Sequence, residues 1–207
     1  MNDIKHMIKL GFTLSAYAVA ACILLALTNN LTKPVIEKRQ MMELKTSLSE
    51  VFKDASEFEP VSDNSKTEGI VSCYKAFDNS KNTLGFAVVA EGKTYDHAKI
   101  LIGFKNDQDQ TITGMKFLGL SDSPGFGQRA ADPNEKVKSG KTFYGQFAGK
   151  KASDGFVLNE TYDAVSGATI TSTSVGKILQ NAASYAKKFT NYGGKQGKTN
   201  FQFLQTA

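Results

Sequence analysis

The chain has no tryptophan, two histidines, two cysteines and four prolines among its 207 residues. Cys22 and Cys73 are too few for a disulfide-stapled scaffold or for a cysteine-held iron–sulfur cluster. His6 and His97 are too few for a histidine-built metal site, and no metal ligands are assigned. Neither a nicotinamide glycine fingerprint nor a Walker loop is present. Charge is close to balanced, with 25 Lys and Arg against 20 Asp and Glu, a net of +5. Beyond Thr161, five lysines (Lys177, Lys187, Lys188, Lys195 and Lys198) face one acid, Asp163, so nearly all of the excess lies there. No basic stripe runs along the body of the chain, which argues against a nucleic-acid partner. What is there in quantity is apolar: 41% of the residues are hydrophobic and 22% charged, enough for a core. The length suits one domain with some to spare.

The spare length is N-terminal. From Leu10 to Leu31 the chain runs for 22 residues without a charge. A helix of that length spans about 33 Å, and the hydrocarbon core of a bilayer is about 30 Å thick. The central stretch, Ala16 to Leu27, is apolar on every face, as lipid exposure requires. Three processing patterns compete with a permanent anchor. Lys5 and Lys9 make a basic n-region, but the apolar run outlasts a signal peptide's. Val19-Ala20-Ala21-Cys22 is like a lipobox, yet Ile23-Leu24-Leu25 follows where a polar tether belongs. Gly11-Phe12-Thr13-Leu14 is like a prepilin site, yet Ala16 stands where pilins carry glutamate. An uncleaved single-pass anchor is therefore expected over residues 1–32. Lysines flank it on both sides (Lys5 and Lys9, then Lys33, Lys38 and Arg39), so charge does not set its orientation. A short N-terminus inside and a translocated domain is the simpler arrangement. That places the protein in the cytoplasmic (inner) membrane with its domain on the extracytoplasmic side. Cys73, the one cysteine outside the span, permits oxidising surroundings without demanding them.

Thr32 or Lys33 followed by Pro34 reads as a helix start. Val35, Ile36, Leu44, Leu48, Val51 and Phe52 give partial helical spacing to about Phe52, so residues 33–66 are expected to form a helical stalk and linker. Strand-like runs follow at Ile70–Phe77, Leu84–Val89, Lys99–Phe104 and Thr111–Leu118, with a hairpin at residues 106–108. Strands in succession before a helical end predict an α+β domain with a largely antiparallel sheet and packed helices. Val175, Ile178, Leu179, Ala182, Ala183, Ala186 and Phe189 share one face of a final helix. Ser172, Thr173 and Ser174 are its N-cap candidates, and Gly193-Gly194 its stop. The domain is expected over 67–192, with a flexible tail over 193–207.

Immediately before that helix stands Asp163-Ala164-Val165-Ser166-Gly167-Ala168-Thr169-Ile170-Thr171. It is a small-residue turn that delivers a threonine hydroxyl to a helix N-terminus, where unpaired N–H groups and the positive dipole end favour an anion. Gly167 and Ala168 allow a bulky group to approach the backbone, and Asp163 suits a hydroxyl or a metal during modification. The plain alternative is a Ser/Thr-rich helix cap.

The pattern Asp-x-x-Ser/Thr-Gly-Ala-Thr resembles the flavinylation motif of FMN-binding domains in the Rnf and Nqr electron-transport complexes. The resemblance implies that a flavin transferase, using FAD and magnesium, joins FMN to the hydroxyl of Thr169 through a phosphoester. Asp163, Ser166, Gly167 and Ala168 are then recognition residues, and Thr171 is a helix-start residue. Ser121-Asp122-Ser123-Pro124-Gly125-Phe126-Gly127 is similar to the family's Glu-Thr-Pro-Gly-Leu-Gly loop, which implies flavin contacts from Ser123, Pro124, Gly125, Phe126 and Gly127. Pro124 and Thr169 are 45 positions apart. Where the family often reads Gly-Tyr-x-Gly, this chain has Thr94-Tyr95-Asp96-His97. Tyr95 keeps its place near the flavin, and His97 is read as a surface residue.

Length and stalk look most like the RnfG proteins of the Rnf complex, and the NqrC proteins of Nqr-type sodium pumps are the near alternative. An anchored pilin-like structural protein is the alternative of another class. The resemblance implies an electron-carrying flavoprotein, not a stand-alone enzyme and without catalytic residues of its own. It would work inside an ion-translocating ferredoxin:NAD⁺ oxidoreductase. Its partners would be the other membrane proteins of the Rnf complex, with the flavin transferase during maturation.

Overall fold

The computed structural model describes residues 2–62 and 67–190. The expected tail at 193–207, the Gly193-Gly194 stop and most of the polar 62–67 stretch lie outside those residues. Contacts divide the chain into two compact units, Met1–Lys45 and Thr46–Ala207.

The first unit is helical, the greater part of helix α1 (Asn2–Val51). It is long and apolar enough to cross a membrane, and none of its most apolar window is buried against protein. The hydroxyls of Thr13, Thr28 and Thr32 donate to the carbonyls of Lys9, Leu24 and Thr28 at 2.8, 2.9 and 2.5 Å. Four-residue back-bonding of this kind satisfies a threonine without water, which suits a lipid-facing helix. Pro34 does not start a second helix. It lies inside α1. Proline has no N–H to donate, so the turn loses one i→i−4 bond there, yet the helix continues on both sides.

The second unit is built on a five-stranded antiparallel sheet in the order β1 (Glu57–Pro60), β2 (Ile70–Phe77), β3 (Thr83–Gly92), β4 (Ala98–Lys105) and β5 (Ile112–Leu120). The domain is α+β, as its sequence implies. Strands β2 to β5 fall where alternation and apolar runs put them. Strand β1 comes from the segment expected to be stalk and linker. Glu-Phe-Glu-Pro carries no strand signature, and its proline is tolerated because the strand is at the edge.

Both faces of the sheet centre are covered. Phe86, Val88, Ala90, Ile100, Ile102 and Phe104 share a buried cluster with helix α2 (Thr169–Ala186). Leu48, Val51 and Phe52, from the chain just before β1, are buried too. Gly103 is required under them, since a Cβ there would meet Val51 Cγ1 at 2.4 Å and Phe52 Cε2 at 2.7 Å. The predicted face of α2 is the buried one. Phe189, beyond its end, packs on Phe86 and Tyr185 with ring centroids 5.9 and 5.2 Å away. Ser172, Thr173 and Ser174 are not caps, because α2 begins earlier, at Thr169.

Between β5 and α2, residues 121–168 form neither strand nor α-helix, only three short 3₁₀ turns. This segment is held by its own aromatic pin. Phe143, Phe147 and Tyr162 meet at centroid distances of 5.6, 5.2 and 6.3 Å. The Tyr162 hydroxyl donates to the Ser172 carbonyl at 2.9 Å. Burial pushes the Tyr162 phenol up to about 12.

Candidate functional site

The turn before α2 is made by its glycine. The N–H of Ala168 donates to the carbonyl of Val165 at 3.0 Å, and Gly167 at φ +76° takes the third position. A type II turn requires a positive φ there, which glycine adopts without strain. The Ser172 hydroxyl accepts from Val165 N–H (3.0 Å) and donates to the Ala168 carbonyl (2.9 Å), stitching the turn to the helix. Ala168 is the N-cap residue and has no side-chain oxygen, so no side chain caps the first N–H groups of α2. The plain capping alternative for this motif is therefore not what the turn does.

Thr169, the first residue of α2, is exposed and lines an open pocket of about 550 Å³. Tyr95, Ser123, Pro124, Phe126, Gly127, Gly167, Ala168, Ile170 and Thr171 line it as well. Three chain segments distant in sequence thus converge on Thr169. Tyr95, Phe126 and Ile170 are unusual for large apolar side chains in this domain, at 65, 62 and 61% exposed.

Beneath the pocket lies Asp122, 1% exposed. Its Oδ1 accepts from Thr94 Oγ1 at 2.5 Å and from Asp96 N–H at 2.8 Å. Its Oδ2 accepts from Thr171 Oγ1 at 2.5 Å. Burial pushes the Asp122 carboxyl up, but the hydrogen bonds from Thr171, Thr94 and the backbone outweigh it, and the group is held below the usual carboxylate range. Gly127 is glycine for this reason. A Cβ there would sit 2.5 Å from Asp122 Oδ2 and 2.6 Å from Thr171 Oγ1. Thr94, which stands where the family often has glycine, supplies a hydroxyl to this network, and Asp96 adds an N–H.

Not every expected site residue reaches the pocket. Asp163, Ser166 and Gly125 do not line it. Asp163 is a structural brace. Its Oδ2 accepts from Ser139 N–H at 2.8 Å, and its backbone N–H and carbonyl pair with the Gln146 side-chain amide at 2.7 and 3.0 Å. The carbonyl of exposed Ser166 accepts from Arg129 at 2.9 Å, and the same guanidinium pairs with Glu135. Gly125 is an open turn residue at φ +77°. His97 is exposed, 3.7 Å from Glu91, outside the pocket. Sequence reasoning missed Arg129 and Gln146, which carry no motif. Thr171 is a helix-start residue as expected, in the first turn of α2, but its burial at 2% exposed and its bond to Asp122 were not foreseen. Among the described residues, no cluster of His, Cys, Asp or Glu is arranged to hold a metal.

Residues 95–184, which include every lining residue of this pocket, match the FMN-binding domain family, and residues 1–51 match the RnfG N-terminal region. The pocket thus sits in a membrane-associated FMN-binding domain, and FMN is its cofactor. The chain is 30% identical over 195 residues to the G-type subunit of the ion-translocating oxidoreductase complex of Methanosarcina acetivorans, covering 89% of this chain and 97% of the relative. It belongs to that family, the RnfG proteins of the Rnf complexes. The G-type subunit of the proton-translocating ferredoxin:NAD(+) oxidoreductase complex of Clostridium ljungdahlii is 28% identical over 179 residues, 84% of this chain and 86% of the relative. A crystal structure of Shewanella oneidensis NqrC aligns at a TM-score of 0.43 and 22% identity over 63% of this chain and 66% of that one.

The residues present fit FMN. Pockets for ligands of this size enclose roughly 300–1,000 Å³, and this one ends on a helix N-terminus whose N–H groups face no capping side chain. Exposed Tyr95, Phe126 and Ile170 offer apolar cover for a planar ring, and the Thr169 hydroxyl is open to solvent.

Proposed function

We propose that the chain is a membrane-anchored electron carrier bearing FMN as a phosphoester on Thr169, within a ferredoxin:NAD⁺ oxidoreductase that moves ions across the membrane. One observation carries this reading. Of the two threonines flanking Ile170, Thr169 is exposed at the pocket and Thr171 is buried with its hydroxyl engaged by Asp122. In the transfer, the Thr169 oxygen would form the new bond to the FMN-side phosphorus of FAD and lose its proton, while the pyrophosphate P–O bond breaks and AMP leaves with the bridging oxygen. Bound FMN supplies reversible electron transfer, and the protein supplies position and electrostatics. Tyr95, Phe126 and Ile170 cover the ring, and the 165–168 turn presents the hydroxyl to the flavin transferase.

The other Rnf subunits are the electron partners, and the ion path belongs to them. An apolar helix without charge from Leu10 to Leu31 offers ions no route. The FMN domain stands on the extracytoplasmic side, since the short N-terminus is the simpler one to leave inside. Expression with and without a working flavin transferase, read by gel fluorescence and intact-protein mass, tests the link. The expected result is one flavin adduct, present in Thr171→Ser and absent in Thr169→Val. An adduct that survives in Thr169→Val, or none in the parent chain with transferase, would refute it.

A further inference from the structure

We propose that Asp122 is the positioning residue of the flavin pocket, holding its three walls in one arrangement and reserving Thr169 as the acceptor. The inference rests on the reading of Thr169 as the flavin-bearing residue and adds what organises the site around it. Asp122 is not itself among the residues that line the pocket. It acts through the segments that do.

Two of the walls hydrogen-bond this carboxylate and the third grows from its residue. Thr94 and Asp96 bracket Tyr95, so the wall bearing Tyr95 is pinned on both sides by Oδ1. The 123–127 loop leaves directly from Asp122, and Gly127 returns to within contact of its side chain. Thr171 brings the first turn of α2, with Thr169 two residues upstream, onto Oδ2. An ionised carboxylate accepts and does not donate, so all three donors are drawn to a single acceptor group. An asparagine of the same shape would keep the two Oδ1 bonds only with its amide NH2 turned to Thr171, whose hydroxyl would then have to accept instead of donate. It would also lose the charge that strengthens all three bonds.

The same contact separates the two threonines chemically. The Thr171 proton is committed to Oδ2 in a buried site, whereas the Thr169 hydroxyl is free to be deprotonated and to attack the phosphorus brought by an incoming enzyme. Selection between near-identical residues two positions apart then lies in the fold and not in the transferase alone.

The test uses the full chain in detergent, with Asp122→Asn, Thr171→Val, Thr171→Ser and Thr94→Val as variants. In protein made without transferase, amide hydrogen exchange is followed over residues 94–97 and 167–171. Loading is then timed with FAD and flavin transferase at a temperature where each variant is folded by circular dichroism. Positioning predicts at least tenfold faster exchange in both segments, and at least tenfold slower loading, in Asp122→Asn and Thr171→Val. It predicts loading within twofold of the parent in Thr171→Ser, which keeps the hydroxyl. If Asp122→Asn does not fold, Thr94→Val, which removes one bond of the three, is expected to accelerate exchange at 94–97 and slow loading severalfold. Parent-like exchange and loading in folded Asp122→Asn, or in folded Thr94→Val where it stands in, overturns the proposal. A variant that only unfolds at lower temperature, with parent-like exchange and loading below it, overturns it equally. A parent chain that accepts no flavin refutes the Thr169 reading, while the exchange comparison still decides the role of Asp122.

Discussion

The sheet with its helix α2 and the irregular segment 121–168 solve the same problem in opposite ways. In the first, side chains such as Val88, Ile100, Ile102 and Leu179 are buried by periodicity, and backbone ladders supply the hydrogen bonds. In the second there is no period. Its backbone bonds are scattered turns, and several of its backbone groups are met by single side chains: Gln146 on Asp163, Arg129 on Ser166, Ser172 on Val165. A regular region loses stability in proportion to the apolar volume removed. An irregular one loses shape when a single polar partner goes. The candidate pocket beside Thr169 is built where the second kind of order meets the first.

Leu179→Ala should therefore give the largest loss of global stability. Its side chain is fully buried, and such truncations cost about 2–5 kcal/mol. Urea unfolding would measure it, and the folded fraction should still accept flavin. Gly127→Ala should cost less overall, about 1–3 kcal/mol for overpacking. It should nonetheless harm the pocket more, because the added Cβ wedges Asp122 from Thr171. Slow flavin loading beside a modest shift in unfolding midpoint would sharpen the contrast, and the reverse pattern would break it. Tyr162→Phe removes one buried hydrogen bond from the pin, worth about 1 kcal/mol, and leaves its ring packing intact. Lys116→Ala breaks an exposed pair with Glu50 (2.6 Å) and should change stability by less than about 1 kcal/mol.

The two regions should also differ in their response to pH. Asp122 has a folded pKa below its unfolded value of about 3.9. Its stabilising contribution is complete above that value and is lost as pH falls through the lower, folded one. Protection of amides 94–97, taken relative to their intrinsic exchange rates at each pH, should thus stay flat from neutrality down to the ordinary carboxylate range and fall only below it. Tyr162 titrates in the other direction. With its phenol raised to about 12, its contribution is complete below the unfolded value of about 10 and is lost as pH rises through 12. An ultraviolet titration should find one tyrosine ionising only with unfolding.

Legibility followed the same division. Strands β2 to β5 and the buried face of α2 repeat at periods of two and 3.6, which a single sequence displays openly. Thr169 and the Pro-Gly loop stand out in the sequence through their motifs. Strand β1 is not, because an edge strand needs neither alternation nor β-branched residues. Pro34 misleads, since proline marks helix starts far more often than interiors. Thr171 reads as a helix-start residue because its partner, Asp122, lies 49 positions earlier and no local pattern joins them. Asp163 carries the motif correctly, but its side chain is turned to Ser139 and not to the pocket.

The buried carboxylate has an electrostatic consequence for how a cofactor can be kept. With Asp122 ionised beneath its first turn, α2 has part of its positive pole neutralised by the protein's own anion. A phosphate arriving by diffusion would meet a weakened field in an open, solvent-washed hollow, a poor place from which to hold a ligand through repeated changes of charge. On the proposed phosphoester at Thr169, occupancy would no longer depend on the surrounding flavin concentration or ionic strength, and the pocket would be free to be shallow enough for electrons to leave.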